Sequence, residues 1–328
     1  MDVNNQETIY DIKPTKEDVG ERLDKTLHKH IPKLSRTFLK ELIKKNKVLI
    51  NGKPTKPSYL IEGNEEITVY VPILKDEHEK ILSELDIPVL FEDEWIIVID
   101  KPAGIAVHPN DAYKYATIAQ WAKWKFGDLP APEGTPERTG IVHRLDRETS
   151  GVMIIARNWE AMRFLKQQFK KREIEKKYLA VVYGVPEFVS DVIEFPIGKD
   201  PNNLDHMRIY EEGGKESVTY YEILEDFGKW ALCLCMPKTG RTHQIRVHMA
   251  GIGHSLIGDK IYHSPNEKRF PLPEDAPSME RHALHALSIT ITHPKTREKI
   301  TFETEPPDDF KKLISWLKEQ KNKNRDGS

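Results

Sequence analysis

Short runs of apolar residues, many of them β-branched, recur from residue 87 onward and constrain the fold more than any other feature. Three of them are "EWIIVIDKPAG" (94–104), "GVMIIARN" (151–158) and "LHALSITITHP" (284–294). Each has the length of a β-strand and is bounded by turn residues. Such runs outnumber the helical patterns and follow one another too often for strict strand–helix alternation. We therefore predict an α+β domain with a mixed, mostly antiparallel sheet over residues 87–316.

Two helical patterns lie among these predicted strands. Asn158 can cap a helix that carries Phe164, Leu165 and Phe169 as apolar residues. Further along, "GRTHQIRVHMAGIG" (240–253) is typical of a helix that ends at a glycine.

A different pattern precedes the strands, over residues 16–72. Apolar residues spaced by four predict a helix over 23–31, and Ser35 can cap a second helix. "KVLINGKP" (47–54) then predicts a strand that enters an Asn-Gly hairpin turn, and "EEITVYVP" (65–72) predicts a strand that closes the unit. These elements predict a compact α/β module of two short helices and a small hairpin.

Three further segments carry no clear pattern of this kind. Residues 1–15 are predicted to be loosely ordered and flexible. Residues 73–86 are acidic and suit a linker between the module and the larger domain. Residues 317–328 form a polar tail that we expect to fray.

Positive charge is concentrated in the N-terminal module. The whole chain has a net charge of −2, whereas residues 25–56 carry ten Lys and Arg against one acid, a local charge of +9. Lysines on a helix are most often a solvated face, but mixed charges would serve solubility equally well. The shortage of acids therefore favours a phosphate-binding surface. Its candidate contacts are Arg36, Lys40, Lys44 and Lys45.

Length and composition narrow the class of protein. A chain of 328 residues can form one large and one small domain. It has no apolar run close to the roughly eighteen residues of a membrane span, and its first ten residues are polar, unlike a signal peptide. Cys233 and Cys235 would share one face of a strand, as small buried side chains in a reducing compartment. We expect a cytoplasmic protein.

One carboxylate stands out in the larger domain. "HRLDRETSGV" (143–152) sets Asp146 between two arginines and just before a Thr-Ser-Gly turn. A structural ion pair is one interpretation. The turn, the Lys-Pro-Gly loop at 101–104 and the further arginines Arg241 and Arg246 favour a functional site. Since a nearby guanidinium lowers a carboxylate pKa by about 1 to 3 units, Asp146 would stay ionised and suit nucleophilic or base catalysis.

Several other chemistries lack their motifs. The sequence has no G-x-S-x-G, no G-x-x-x-x-G-K-[ST] and no G-x-G-x-x-G. In the densest histidine cluster, "HQIRVH", His243 and His248 are five residues apart. They would diverge on a helix and face opposite sides on a strand. We therefore expect no metal site.

The same segment resembles the signature of the RluA family of pseudouridine synthases, H-R-L-D-x-x-T-S-G, with every fixed position present. The basic module resembles an S4 RNA-binding domain. Together the matching segments span most of the chain, and the resemblance implies a pseudouridine synthase fold preceded by an S4 domain. Four more segments agree with the family in order: "KPAGIAVHP" (101–109), "EKKYLAVVYG" (175–184), "GRTHQIRVHM" (240–249) and "LHALSITITHP" (284–294).

The resemblance implies three catalytic residues. Asp146 would attack the target uridine or abstract its proton, and the sequence leaves both mechanisms open. Tyr178 would lie against the uracil ring and assist proton removal at C5. Without its flanking motif it would be read as a core tyrosine on a strand. Arg246 would be the ion-pair partner of Asp146, distant in sequence.

Other residues of the matching motifs are expected to bind the substrate RNA. Arg144 would be free to act on the RNA, occupying the space that the displaced base leaves. Lys101, His108 and Arg241 are further candidate RNA contacts. His143 would serve packing and hydrogen bonding.

The implied reaction needs no cofactor and no metal. Pseudouridine formation detaches uracil from C1′, rotates it and rejoins it through C5, so it is an isomerisation. The base must leave its stack, which costs on the order of a few kcal/mol, and phosphate contacts could offset that cost. The expected partner is structured RNA, foremost large-subunit ribosomal RNA, with transfer RNA as the alternative. We expect a monomer that does not bind membranes.

Two alternatives to this enzyme remain. A catalytically silent RNA-binding protein is disfavoured by the presence of Asp146, Tyr178 and Arg246. A glycosidase or nucleoside hydrolase would need a second acid. Glu148 is the nearest, but no motif supports it as a general acid. Such a hydrolase would release free uracil.

Overall fold

The computed structural model describes residues 7–32, 34–72, 75–109, 116–132, 134–203 and 205–326. The chain divides into two compact units, Met1–Ile81 and Leu82–Ser328. Along the described residues the elements are β1 (Glu7–Ile12), α1 (Leu23–His30), α2 (Arg36–Lys44), β2 (Val48–Ile50), β3 (Lys53–Pro54), β4 (Ile67–Pro72), α3 (Lys75–Ser83), β5 (Val89–Glu92), β6 (Ile96–Lys101), α4 (Ile118–Phe126), a 3-10 turn (Pro136–Arg138), β7 (Ser150–Ala156), α5 (Trp159–Lys171), β8 (Glu175–Tyr183), β9 (Ser190–Ile193), β10 (Ile197–Lys199), β11 (Met207–Ile209), β12 (Thr219–Asp226), β13 (Trp230–Pro237), α6 (Gln244–Gly251), α7 (Pro265–Arg269), β14 (Leu284–Thr292), β15 (Lys299–Glu303) and α8 (Asp308–Asp326).

The first unit is an antiparallel sheet, in the order β1-β4-β2-β3, packed against α1 and α2. The side chain of Ser35 accepts the backbone N–H of Phe38, which caps the start of α2. Asn51 and Gly52 have positive φ and form the turn between β2 and β3. The two helices, the hairpin and the closing strand predicted from the sequence are confirmed.

Three segments predicted as loose or connecting carry regular structure. The prediction for 1–15 is wrong over β1, which pairs with β4 along its whole length. Only Ile12 is buried among its described side chains, so no apolar alternation announces this strand. Helix α3 occupies most of the predicted linker. Helix α8 continues to Asp326 because its apolar residues anchor it on the sheet. Residues 1–6, 327 and 328 lie outside the described residues.

The second unit is built on a sheet in the order β5-β6-β7-β14-β8-β13-β12-β9, with β15 paired to β14. Of the pairs in its described residues, β7 and β14 run parallel, over two residue pairs, and the rest are antiparallel. The prediction of a mixed, mostly antiparallel sheet is confirmed.

Both faces of this sheet are covered at its centre, which explains the continuous apolar runs in the sequence. On β8, Leu179 and Val181 pack towards α8 on one face. Ala180 and Val182 pack towards α6 on the other. Successive side chains of a strand point to opposite faces, so a strand buried on both sides must be apolar throughout. Helix α6 thus lies against the sheet beside β12 and β13.

Three expectations from the sequence, about the cysteines, a membrane span and a metal site, can be compared with the fold. Cys233 and Cys235 lie on β13 and are buried on one face of the sheet, as predicted, where burial raises the pKa of both thiols. Within the described residues, no helix combines the length and apolarity needed to span a bilayer. The described part of the chain also holds no group of three or more His, Cys, Asp and Glu placed to bind a metal ion.

Candidate active site

Asp146 lies in the loop that leads into β7 and faces a guanidinium from a distant part of the chain. Arg246 on α6 donates through Nη1 to Asp146 Oδ2 at 3.1 Å. The Asp146 side chain is 17% exposed and lines a cleft. The other carboxylate oxygen, Oδ1, lies 3.9 Å from Nε2 of His243. Because 3.9 Å is too long for a hydrogen bond, Oδ1 remains open.

A second carboxylate holds Arg246 in place. Asp259 accepts from Arg246 Nε at 2.7 Å and from Nη2 at 2.8 Å, a bidentate pair. The Asp259 side chain is fully buried, and it also accepts the backbone N–H groups of Ile261 and Tyr262. Since a bidentate pair fixes the plane of the guanidinium, only Nη1 is left to reach Asp146.

The pKa of Asp146 is held below its ordinary value. Burial alone would raise it, but His243, Arg246 and His282 act in the opposite direction and outweigh burial. Burial lowers the pKa of His243, and that of His282 to about 3, so both rings are neutral near pH 7. Burial also acts to lower the pKa of Arg246, but Asp259 and then Asp146 raise it. The permanent positive charge beside Asp146 is therefore Arg246.

Tyr178, on β8, lines the same cleft. Burial raises the pKa of its hydroxyl, and the charge of Asp146 raises it further, so the hydroxyl is protonated at neutral pH. The cleft has a volume of about 530 Å³, which is within the range of roughly 300–1,000 Å³ for small-molecule sites. Its lining includes the cations Arg144, Lys170, Arg172, Lys176, Lys238 and Arg241.

A second cavity, of about 770 Å³, is also lined by Asp146. It shares Arg144, Asp146, His243 and Arg246 with the first cleft, and its own lining includes His108. Asp146 therefore lines both cavities, and each of them is large enough for a nucleoside.

Side-chain contacts from His143 and Thr149 hold the loop around Asp146 in place. His143 Nε2 accepts the N–H of Ile154, and its ring stacks on Phe169. Thr149 Oγ1 bonds to His282 Nε2 at 2.8 Å. These contacts confirm the packing and hydrogen-bonding role expected of His143, and burial lowers its pKa to about 3.

Comparison with known proteins identifies the family. The family described as RNA pseudouridylate synthase matches residues 95–251. A relative from Aquifex aeolicus (strain VF5), named "Uncharacterized RNA pseudouridine synthase", is 39% identical over 305 residues, which are 91% of this chain and 94% of that protein. The chain belongs to the RNA pseudouridine synthase family.

Further matches cover the first unit and the fold. The S4 domain family matches residues 21–67. The protein named "Ribosomal large subunit pseudouridine synthase D" from Neisseria meningitidis serogroup A is 37% identical, over 91% of this chain and 79% of its own. The structure of human RNA Pseudouridylate Synthase Domain Containing 4 has a TM-score of 0.56 and 25% identity, over 75% of this chain and 98% of that one. The predicted family, fold, S4 domain and pseudouridine synthase activity are confirmed.

The prediction that Lys101 contacts RNA is wrong. Its side chain is fully buried, and Nζ donates to the carbonyls of Pro102, Ile105 and Arg147. Gly104 N–H also donates to Arg147 O. Burial lowers the pKa of Lys101 to about 7. The lysine therefore ties its own loop to the loop of Asp146.

The other predicted RNA contacts of the second unit lie around the two cavities. Arg144 is exposed and lines both of them. His108 lines the second, and burial lowers its pKa. Arg241 lines the first, with Nε donating to the carbonyl of Glu216. Their contact with RNA stays a prediction.

In the first unit, three of the four predicted phosphate contacts already pair with an acid. Arg36 and Lys40 both pair with the buried carboxylate of Asp24, which lies just before the basic stretch. Lys44 pairs with its helix neighbour Glu41 at 2.8 Å. All four cations keep solvent access, and their contact with RNA likewise stays a prediction.

Four residues around Asp146 escaped the sequence analysis. His243 was considered as a metal ligand on a helix or a strand, whereas it precedes α6, which begins one residue later. Asp259 and Tyr262 lie in "IGDKIYHS" (257–264), a segment in which the sequence analysis found no functional motif. His282 lies just before a predicted strand. The polar composition of these segments is the only signal, and it does not say which residues meet.

Proposed function

We propose that this enzyme converts specific uridines of large-subunit ribosomal RNA to pseudouridine, with Asp146 as the catalytic carboxylate. The observation that carries the proposal is the geometry of that carboxylate. Oδ2 is held by Arg246, while Oδ1 is open in a cleft that also contains Tyr178. The choice of RNA is supported by relatives named "Ribosomal large subunit pseudouridine synthase D" in Neisseria meningitidis and, at 34% identity, in Xanthomonas campestris.

The reaction conserves all atoms of the nucleotide. The bond between N1 of uracil and C1′ breaks, the base rotates, and a bond between C5 and C1′ forms. C5 loses a proton and N1 gains one. An ionised Asp146 can open this sequence as a nucleophile or as a base, because its lowered pKa keeps it deprotonated.

Tyr178 has a narrower role in this proposal. Since its pKa is raised, its hydroxyl is protonated and cannot act as a standing base. The ring is expected to lie against the uracil. Its hydroxyl would assist proton removal at C5 only by passing its own proton on in the same step.

RNA binding would be shared by both units. In the second unit, Arg144 would fill the space of the displaced base, and cations at the cleft would meet the backbone phosphates. In the first unit, the S4 domain would add phosphate contacts from α2. We also propose that a single chain is the active form, which light scattering of the purified enzyme tests.

The test is a map of pseudouridines in total RNA from a strain that lacks the gene. We expect at least one pseudouridine of large-subunit ribosomal RNA to be missing, and to return with the wild-type gene. The variant Asp146→Asn should bind the RNA yet fail to restore the site. If the only missing pseudouridine lies in transfer RNA, the substrate is transfer RNA and not ribosomal RNA. Restoration by Asp146→Asn would refute the catalytic role of Asp146.

A further inference from the structure

His243 has a backbone conformation that stability alone does not explain. It precedes α6 with φ 56° and ψ 19°, in the left-handed region, and its side chain does not cap the helix. Left-handed geometry is unfavourable for most non-glycine residues, and Gly or Asn adopts it more readily. Such strain is often found where a side chain must be aimed at a functional group.

The ring of His243 is aimed at two groups. On one side Nε2 faces Asp146 Oδ1 at 3.9 Å. On the other, Nδ1 lies 2.8 Å from the hydroxyl of Tyr262. That hydroxyl accepts the backbone N–H of Met207, the first residue of β11, at 2.9 Å. A continuous series of polar groups therefore leads from the β10–β11 hairpin to the carboxylate.

The hydrogen bonds of Tyr262 favour one of the two neutral tautomers of His243. The Tyr262 hydroxyl has one proton, and it already accepts from Met207 N–H. Among the described residues, His243 Nδ1 is the acceptor placed to receive that proton. With Tyr262 as the donor and burial keeping His243 neutral, the proton of the imidazole is on Nε2, the atom that faces Asp146.

We infer that Tyr262 and His243 form a hydrogen-bond relay from the β10–β11 hairpin to Asp146, in which His243 is a positioning residue for the carboxylate. The inference rests on the proposed role of Asp146. Arg246 restrains Oδ2, and the Nε2–H of His243 is placed to restrain the rotation of Oδ1 once the gap between them closes. A movement of about 1 Å would close the 3.9 Å gap into a hydrogen bond. The position of the hairpin is thereby linked to the orientation of the reacting oxygen.

The relay is tested first by its proton, without reference to activity. Imidazole ¹⁵N NMR of the full-length enzyme, with His243 assigned from the spectrum of His243→Gln, should show a neutral ring protonated at Nε2 near pH 7. Tyr262→Phe should shift that ring towards the other tautomer. A charged ring, or a proton on Nδ1 in the wild type, would overturn the relay even if the enzyme is fully active.

Kinetics then test whether the relay positions Asp146. With transcribed ribosomal RNA carrying the mapped site, Tyr262→Phe should lower kcat about tenfold, equal to roughly 1.4 kcal/mol of barrier, and leave KM unchanged. His243→Leu should lose more activity than His243→Gln, because only glutamine supplies an N–H in place of Nε2–H. Leucine and glutamine are both unbranched at Cβ, so their backbone cost should be similar, and melting temperatures check this.

A matched control comes from the same hairpin region. Tyr210 donates its hydroxyl to Lys199 O and has no contact with His243 or Asp146, so Tyr210→Phe makes the same chemical change off the relay and should keep wild-type kcat. The double variant of Tyr262→Phe and His243→Gln should be no slower than its slower parent, since both changes break one unit. Multiplying defects, or an unchanged kcat in Tyr262→Phe, would contradict the relay. A wild-type enzyme with no activity on any RNA would instead contradict the proposed function, and the NMR result would decide the relay alone.

Discussion

At the scale of single residues, the neighbours of Asp146 in sequence are not its partners in space. Arg147 pairs with Glu148 at 2.6 Å, and Arg144 is exposed at the cleft. The guanidinium that meets Asp146 comes from Arg246, one hundred residues away. A charge that must stay fixed during catalysis is better held by a rigid helix than by an adjacent side chain on the same loop.

The lowered pKa of Asp146 makes the pH dependence of the enzyme a test of its role. A carboxylate with a depressed pKa stays ionised until the pH falls below its ordinary value, about 3.8. We therefore expect protonation of Asp146 to lower kcat/KM only below about pH 4. Single-turnover rates from neutral pH to below that value check it. An acid limb between pH 6 and 7 would point to a titrating histidine instead.

At the scale of elements, the site depends on the join between β7 and β14. A Cβ on Gly151 would lie 2.2 Å from Ala286 O, so only glycine permits the two strands to run side by side there. Ser150 Oγ adds a hydrogen bond to His285 Nδ1 across the same join. Close packing of the two strands thus explains the glycine of the T-S-G motif. The pairing of β7 with β14 positions the loop of Asp146.

The role of Lys101 in holding two loops together can be tested by mutation. Lys101→Met would remove three hydrogen bonds to buried carbonyls, and we expect a loss of roughly 2–3 kcal/mol of unfolding free energy. RNA affinity of the folded variant should stay the same, because the ammonium does not reach the surface. Denaturant unfolding and filter binding measure the two effects. Lys123→Met, at an exposed position of α4, is the control that should change neither. A stable variant with weakened RNA binding would restore Lys101 as an RNA contact.

At the scale of the whole molecule, an acidic chain carries one strongly basic segment within its S4 domain. Affinity for RNA that depends on phosphate contacts falls with salt, by about 0.7–0.9 in the slope of log K against log salt for each contact. Lys44→Gln with Lys45→Gln should therefore reduce the slope by up to about 1.8. Lys295→Gln with Lys299→Gln, at exposed sites of the other unit, should leave it unchanged. Equal slopes for all three proteins would remove α2 from the RNA-binding surface.

The sequence by itself determined the elements and the chemistry that lie in contiguous segments. The sequence predicted strands β6, β7 and β14 of the second unit, helices α1 and α2 of the first, the Ser35 cap and the signature around Asp146, because periodicity, capping and motifs are local. Strand β1 was not predictable, since its pairing with β4 leaves no pattern in its own side chains.

Only the tertiary structure decided which charges meet. It buried Lys101 beneath two loops, set Asp259 behind Arg246, and turned His243 and Tyr262 towards Asp146. The physical reason is that the interaction energy of a charged side chain depends on its distance from other charges and on the local dielectric constant. These determine whether it acts as a ligand, as a base or as a structural contact. Those are properties of the folded chain that no stretch of neighbouring residues contains.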